Sequence, residues 1–68
     1  MTIHLNDQPR TVPADARLAD ILRELGYTAD RKGVAIAIND EVVPRSQWPV
    51  RVLVEGERIL VIQATQGG

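Results

Sequence analysis

The chain has no cysteine and no phenylalanine, and among its 68 residues it holds only one tryptophan, one tyrosine, one histidine and one lysine. Each shortage excludes a class of chemistry. Without Cys there is no thiol nucleophile, no redox pair, no disulfide and no thiolate-bound zinc or iron–sulfur cluster. A single His excludes a histidine-rich metal site, and no metal ligand set is predicted. Charge is balanced, eight Lys+Arg against nine Asp+Glu for a net −1. The basic residues are scattered, and the strongest cluster is Arg31-Lys32. A surface that tracks nucleic-acid phosphates is therefore not expected. Long apolar runs are missing too. Met-Thr-Ile-His-Leu-Asn-Asp opens the chain without a basic segment and apolar stretch, and no later run approaches the length of a membrane span. The expectation is one soluble cytoplasmic domain that contacts neither membrane nor nucleic acid.

What remains is 44% hydrophobic and almost wholly aliphatic. A domain this small hides only about 60% of the surface its unfolded chain exposes. With no disulfide and no metal, its stability must come from one compact aliphatic core.

Residues 2–6 alternate, with Ile3 and Leu5 on one side and Thr2, His4 and Asn6 on the other, the pattern of a half-buried strand. Asn6-Asp7-Gln8-Pro9 supplies turn chemistry, and a short second strand is expected over about Arg10–Val12. Residues 15–25 read as a helix. Leu18, Ile21, Leu22 and Leu25 form one apolar stripe, Asp15 is the candidate N-cap, and Gly26 stands where a left-handed residue ends a helix. Residues 27–33 are polar and irregular. Val34-Ala35-Ile36-Ala37-Ile38 reads as an interior strand with its bulky residues turned to the helix. Asn39-Asp40-Glu41 turns, Val42-Val43 extends, Pro44 stops the pairing, and Ser46-Gln47-Trp48 suggests a brief helical turn. Val52-Leu53-Val54 predicts another short strand. After the Glu55-Gly56-Glu57 turn, Ile59-Leu60-Val61-Ile62 predicts a central strand covered on both faces.

Two hairpins flanking one helix, with apolar first and last strands, define an α+β chain. A ubiquitin-like β-grasp satisfies this order: a mixed sheet of four to five strands, one main helix, and the first and last strands parallel in the middle. A ferredoxin-like sheet wants a second long helix that the sequence does not hold. The domain is expected over residues 1–62, followed by a flexible tail over 63–68.

The tail ends in Gly67-Gly68. Two terminal glycines arise by chance in roughly 0.5% of chains at a glycine usage of ~7%. A frayed end or a cloning remnant is the bland reading. The chemical reading starts from what glycine permits, namely threading a narrow channel in backbone angles closed to other residues. Six extended residues reach ~20 Å. The terminal carboxylate, with a pKa of about 3.3, is anionic and inert until an enzyme activates it. Adenylation would give it a good leaving group, and sulfur, nitrogen or oxygen could then take the acyl carbon. Since the chain has no Cys, any sulfur it carries must sit on the carbonyl of Gly68.

Internal chemistry is sparse. His4 points from the apolar face with no second ligand, Asp15, Asp40 and Glu41 suit cap and turn positions, and Ser46 has no base beside it. Arg45 and Trp48 are open to two readings, as partner contacts or as fold support, with Trp48 closing the core edge and Arg45 in a surface ion pair. No catalytic residue is predicted, and the chain reads as a substrate of other enzymes rather than as an enzyme.

Across most of its length the sequence resembles a known family. The resemblance is carried by Asn6-Asp7, Ala37-Ile38-Asn39, Val43-Pro44-Arg45 with Gln47-Trp48, Glu55-Gly56-Glu57 with Ile59-Leu60, Gln63, and Gly67-Gly68. It is similar to the sulfur carriers of thiamin (thiazole) biosynthesis, the ThiS-like branch of the ubiquitin-like β-grasp proteins. That resemblance implies an adenylating enzyme of the ubiquitin-activating type that uses ATP and magnesium to form an acyl-adenylate on Gly68. It implies a persulfide donor charged by a cysteine desulfurase or similar enzyme, and a thiazole synthase that takes sulfur from the resulting thiocarboxylate. There the sulfur meets a deoxyxylulose phosphate unit and a glycine-derived imine. Gly68 is then the sulfur-bearing residue, Gly67, Gln66 and Thr65 thread into partner sites, and the chain itself binds no cofactor. Gly56-Glu57 departs from the family's more usual Gly-Asp. Other readings of the same terminus are a ubiquitin-like modifier that forms isopeptides on lysine, the small sulfur-carrier subunit of a molybdopterin synthase, and an interaction module with no terminal chemistry.

Overall fold

The computed structural model describes residues 1–27 and 32–63. The elements run β1 (Thr2–Leu5), β2 (Gln8–Thr11), α1 (Leu18–Glu24), β3 (Val34–Ile38), β4 (Glu41–Val43), a 3-10 turn at Arg45–Gln47, and β5 (Arg58–Gln63). The five strands form one sheet in the order β2-β1-β5-β3-β4. β1 and β5 are parallel at its centre, and the two hairpins flank them. This is the architecture expected from the order of the elements.

Both hairpins close through two-residue turns in which the central residues have positive φ, Asn6 (48°) with Asp7 (67°) and Asn39 (51°) with Asp40 (71°). Asn and Asp tolerate the left-handed region, and such turns match the twist of the strands they join. The first turn is tighter than the four residues expected. β2 accordingly starts at Gln8 and takes in Pro9, which an edge strand accepts because the missing N–H can face solvent.

The helix starts later than expected, and Asp15 is not its cap. Arg17 holds that position in an extended conformation, and the Asp20 carboxylate accepts its N–H at 3.2 Å. The reason is tertiary. Residues 16–18 pair with 51–53: Leu18 N–H donates to Arg51 O and Leu53 N–H to Ala16 O, both over 2.9 Å, around an isolated Arg17–Val52 bridge. Ala19 N–H donates to Trp48 O at 3.1 Å. Main-chain carbonyls of the following loop thus satisfy the first helical N–H groups, which a side chain would otherwise have to cap. The strand expected at residues 52–54 is reduced to that single bridge, with Leu53 buried and Val52 and Val54 exposed.

The far end of α1 closes as a Schellman motif. Gly26 has φ +89°, its N–H donates to Arg23 O at 3.0 Å, and Tyr27 N–H donates to Leu22 O at 2.8 Å. Leu18, Ile21 and Leu22 bury the helical stripe against Ile3, Val34, Ile36, Ile38, Val43, Trp48, Leu53 and Ile59. The core is aliphatic apart from the one indole.

β5 is central in the sheet but covered on one face only. Ile59 is buried and Val61 half-buried toward the helix, while Leu60 and Ile62 remain 48% and 45% exposed on the other side. Among the described residues a single α-helix covers one face of the five-stranded sheet, and none of them forms the expected second cover over Leu60 and Ile62.

Candidate functional site

The chain enters its terminal segment from β5. That strand runs to Gln63, one residue beyond the domain boundary expected from the sequence, and Gln63 faces Val34 across the last rung of the β3–β5 ladder. Thr65, Gln66, Gly67 and Gly68, the residues expected to thread and react, lie outside the described residues, as do residues 28–31.

Beside this exit the sheet offers an open apolar face. The register places Ala37 between Val42 on β4 and Leu60 on β5, and Ala35 against Ile62. Val42 is 69% exposed, whereas Ala37, overhung by its larger neighbours, is 7% exposed. Small residues in β3 and larger ones on either side make a shallow trough rather than a ridge. At its far end Arg58 pairs with Asp40 at 3.0 Å, and Asn6 and Asp7 border the same depression. His4 lies level with Arg58 on β1. The sequence showed these residues as strand apolars. An open sheet face near the tail was expected by analogy with β-grasp proteins, but not that Leu60 and Ile62 would lie on it, because the run Ile59–Ile62 reads as covered on both sides.

Arg45 and Trp48 come together at the end of β4. Trp48 is 2% exposed and donates its indole N–H to Val43 O over 3.0 Å. The Arg45 guanidinium lies 4.7 Å above the ring, in cation–π range, and donates through Nη2 to Val34 O at 3.2 Å. Trp48 is therefore a core residue. Arg45 spans from it to the first residue of β3, the residue opposite Gln63.

Two contacts were not foreseen. Asn6 Oδ1 accepts Val61 N–H at 2.8 Å, and Asn39 Oδ1 accepts Arg58 N–H at 3.0 Å. Both asparagines were legible as turn residues. Their bonds to β5 were not, since each crosses the fold to a strand distant in sequence. Among the described residues no group of three or more His, Asp or Glu side chains is placed to hold a metal, and no helix is long and apolar enough to cross a membrane.

A mixed sheet with parallel central β1 and β5, wrapped on one helix and continuing from β5 into a glycine-ended segment, defines a ubiquitin-like β-grasp protein. The crystal structure of the thiamine biosynthesis protein ThiS from Geobacter metallireducens shares this fold with a TM-score of 0.80, full coverage of both chains and 23% identity. A solution structure of a thiamine biosynthesis protein from the same organism gives 0.77 at 22% identity, over 100% of this chain and 88% of that one. In sequence the chain is 35% identical to the sulfur carrier protein ThiS of Escherichia coli (strain K12) over the whole of both proteins. It is 33% identical to that of Thermus thermophilus, over 97% of this chain and 98% of the relative. Residues 3–68 match the ThiS family, and the chain belongs to it.

Proposed function

We propose that this protein is a sulfur carrier of thiamin biosynthesis and that the carboxylate of Gly68 is its one reacting group. The family match, which runs unbroken from the first strand through Gly68, carries this reading. The lack of Cys agrees with chemistry at the main-chain terminus.

An adenylating enzyme would use ATP with magnesium to join AMP to the Gly68 carboxylate, releasing pyrophosphate. A cysteine persulfide would then attack the acyl carbon through its outer sulfur, expelling AMP and leaving an acyl disulfide. A thiol would cleave that S–S bond, so that the sulfur stays on Gly68 as a thiocarboxylate and the two thiol sulfurs leave as a disulfide. Thiazole synthase would consume the thiocarboxylate. The domain's part is to dock and to present. Ala35, Ala37, Val42, Leu60 and Ile62 form the surface proposed to meet the adenylating enzyme, with Gly67, Gln66 and Thr65 threading into its active site. This assigns the protein to the cytoplasm, alongside its ATP-using partner.

The test is intact-mass analysis after incubation with a thiamin-pathway adenylating enzyme, MgATP and a persulfide donor. Replacement of one oxygen by sulfur, lost on deletion of Gly68 or on addition of a residue after it, is expected. Lysine conjugates in place of the sulfur product would favour the modifier reading. Rescue of a molybdenum-cofactor defect but not of a thiazole requirement would move the carrier to molybdopterin synthesis.

A further inference from the structure

The last rungs of β5 are paired with β3 on one flank and with no strand on the other. On one flank the parallel ladder runs His4 to Arg58 and Leu5 to Ile59, then stops because Asn6 and Asp7 turn the chain. Asn6 N–H still donates to Ile59 O at 2.9 Å, and Asn6 Oδ1 accepts Val61 N–H at 2.8 Å. That oxygen stands where the carbonyl of a longer β1 would. On the other flank β3 pairs with β5 as far as Val34 and Gln63, but β4 leaves β3 at Ile36 and Val43. Continued in register, β4 would set Arg45 against Val34. Pro44 has no N–H and directs the chain into the 3-10 turn instead. The Arg45 guanidinium donates to Val34 O in its place, braced on the buried Trp48 ring.

We infer that Asn6 and Arg45 are positioning residues for the reacting terminus: where β1 and β4 end, their side chains replace the missing ladder and hold the root from which residues 64–68 depart. The inference rests on the proposed reaction at Gly68. Asn6 acts on β5 directly, and Arg45 acts through β3. If rungs 61–63 frayed, three more residues would separate the last paired rung of β5 from Gly68. A longer tether lowers the effective concentration of its end at a partner's active site and loosens the approach of the acyl group.

Full-length Asn6→Gly separates this role from folding, because glycine keeps the positive φ of the turn and removes only the acceptor. Asn6→Asp restores an acceptor. Amide exchange is read at Val61 and Ile62 against Ile3, and kcat and KM are measured for adenylation of the chain by its activating enzyme. Asn6→Gly is expected to speed exchange at Val61 about fivefold, the loss of one hydrogen bond, with less change at Ile3. It is expected to lower kcat several-fold with KM within about twofold, and Asn6→Asp is expected to recover both. Arg45→Ala is expected to speed exchange at Ile62 and lower kcat in the same way. Equal acceleration at Ile3, or an unchanged kcat despite local fraying, overturns the positioning role. A wild-type chain that is never acylated overturns the reading of Gly68 itself, a result distinguishable because it precedes any variant.

Discussion

Trp48 donates its indole N–H to the carbonyl of Val43, 3.0 Å away and buried. The bond joins the end of β4 to the loop whose carbonyls cap α1, since Trp48 O itself accepts Ala19 N–H. Trp48→Phe keeps most of the volume and loses this bond and the stronger stack under Arg45. It should cost about 1–2 kcal/mol. Trp48→Ala should cost about 3–5 kcal/mol through the cavity it leaves. Urea titration followed by far-UV dichroism measures both, and a Phe variant as stable as the parent would show that the indole N–H contributes nothing.

Glu57 closes the Glu55-Gly56-Glu57 turn that leads into β5. It is 8% exposed, accepts Val54 N–H at 2.7 Å through one oxygen, and meets Arg51 Nη2 at 3.1 Å through the other. Glu57→Ala strands a backbone donor and a guanidinium and should cost about 1–3 kcal/mol. Glu57→Asp should fall between, since the shorter side chain can keep the turn bond and lose the arginine. Equal thermal midpoints for Ala and Asp would contradict this division.

Gly26 has open space around its α-carbon, so an added methyl group would clash with nothing nearby. Its φ of +89° alone makes substitution costly. Gly26→Ala should destabilise by about 1–2 kcal/mol, and Gly26→Asn by less. Thermal unfolding of the pair tests whether backbone conformation or packing governs this helix end.

Leu60 and Ile62 are each about half exposed, so truncating them should disturb folding little. Leu60→Ala and Ile62→Ala should each raise KM for the adenylating enzyme about tenfold, as removal of an interface anchor does, with the thermal midpoint shifted by only a few degrees. Val54→Ala, more exposed and outside the sheet, is the control and should leave KM unchanged. A KM that ignores Leu60 and Ile62 would move the docking surface elsewhere.

Much of this protein follows from local pattern. The stripe Leu18, Ile21, Leu22 and Leu25, the left-handed Gly26, the alternation in Val34–Ile38 and the stop at Pro44 are short-range signals that survived folding, because packing asked of them what propensity already favoured. The terminal glycines and the lack of Cys are likewise plain in the sequence, and the reaction proposed at Gly68 starts from them. Only the tertiary structure decided the rest. Asp15 lost the helix cap to Arg17 because loop carbonyls reach the helix start. Residues 52–54 lost their strand because one bridge took their place. Leu60 and Ile62 stayed exposed because one helix covers one face. Asn6 and Arg45 reach the last rungs of β5 and β3 through contacts between separate elements. Those outcomes depend on which surfaces meet, and a linear pattern carries the propensity of each segment but not the partner that will compete for its backbone.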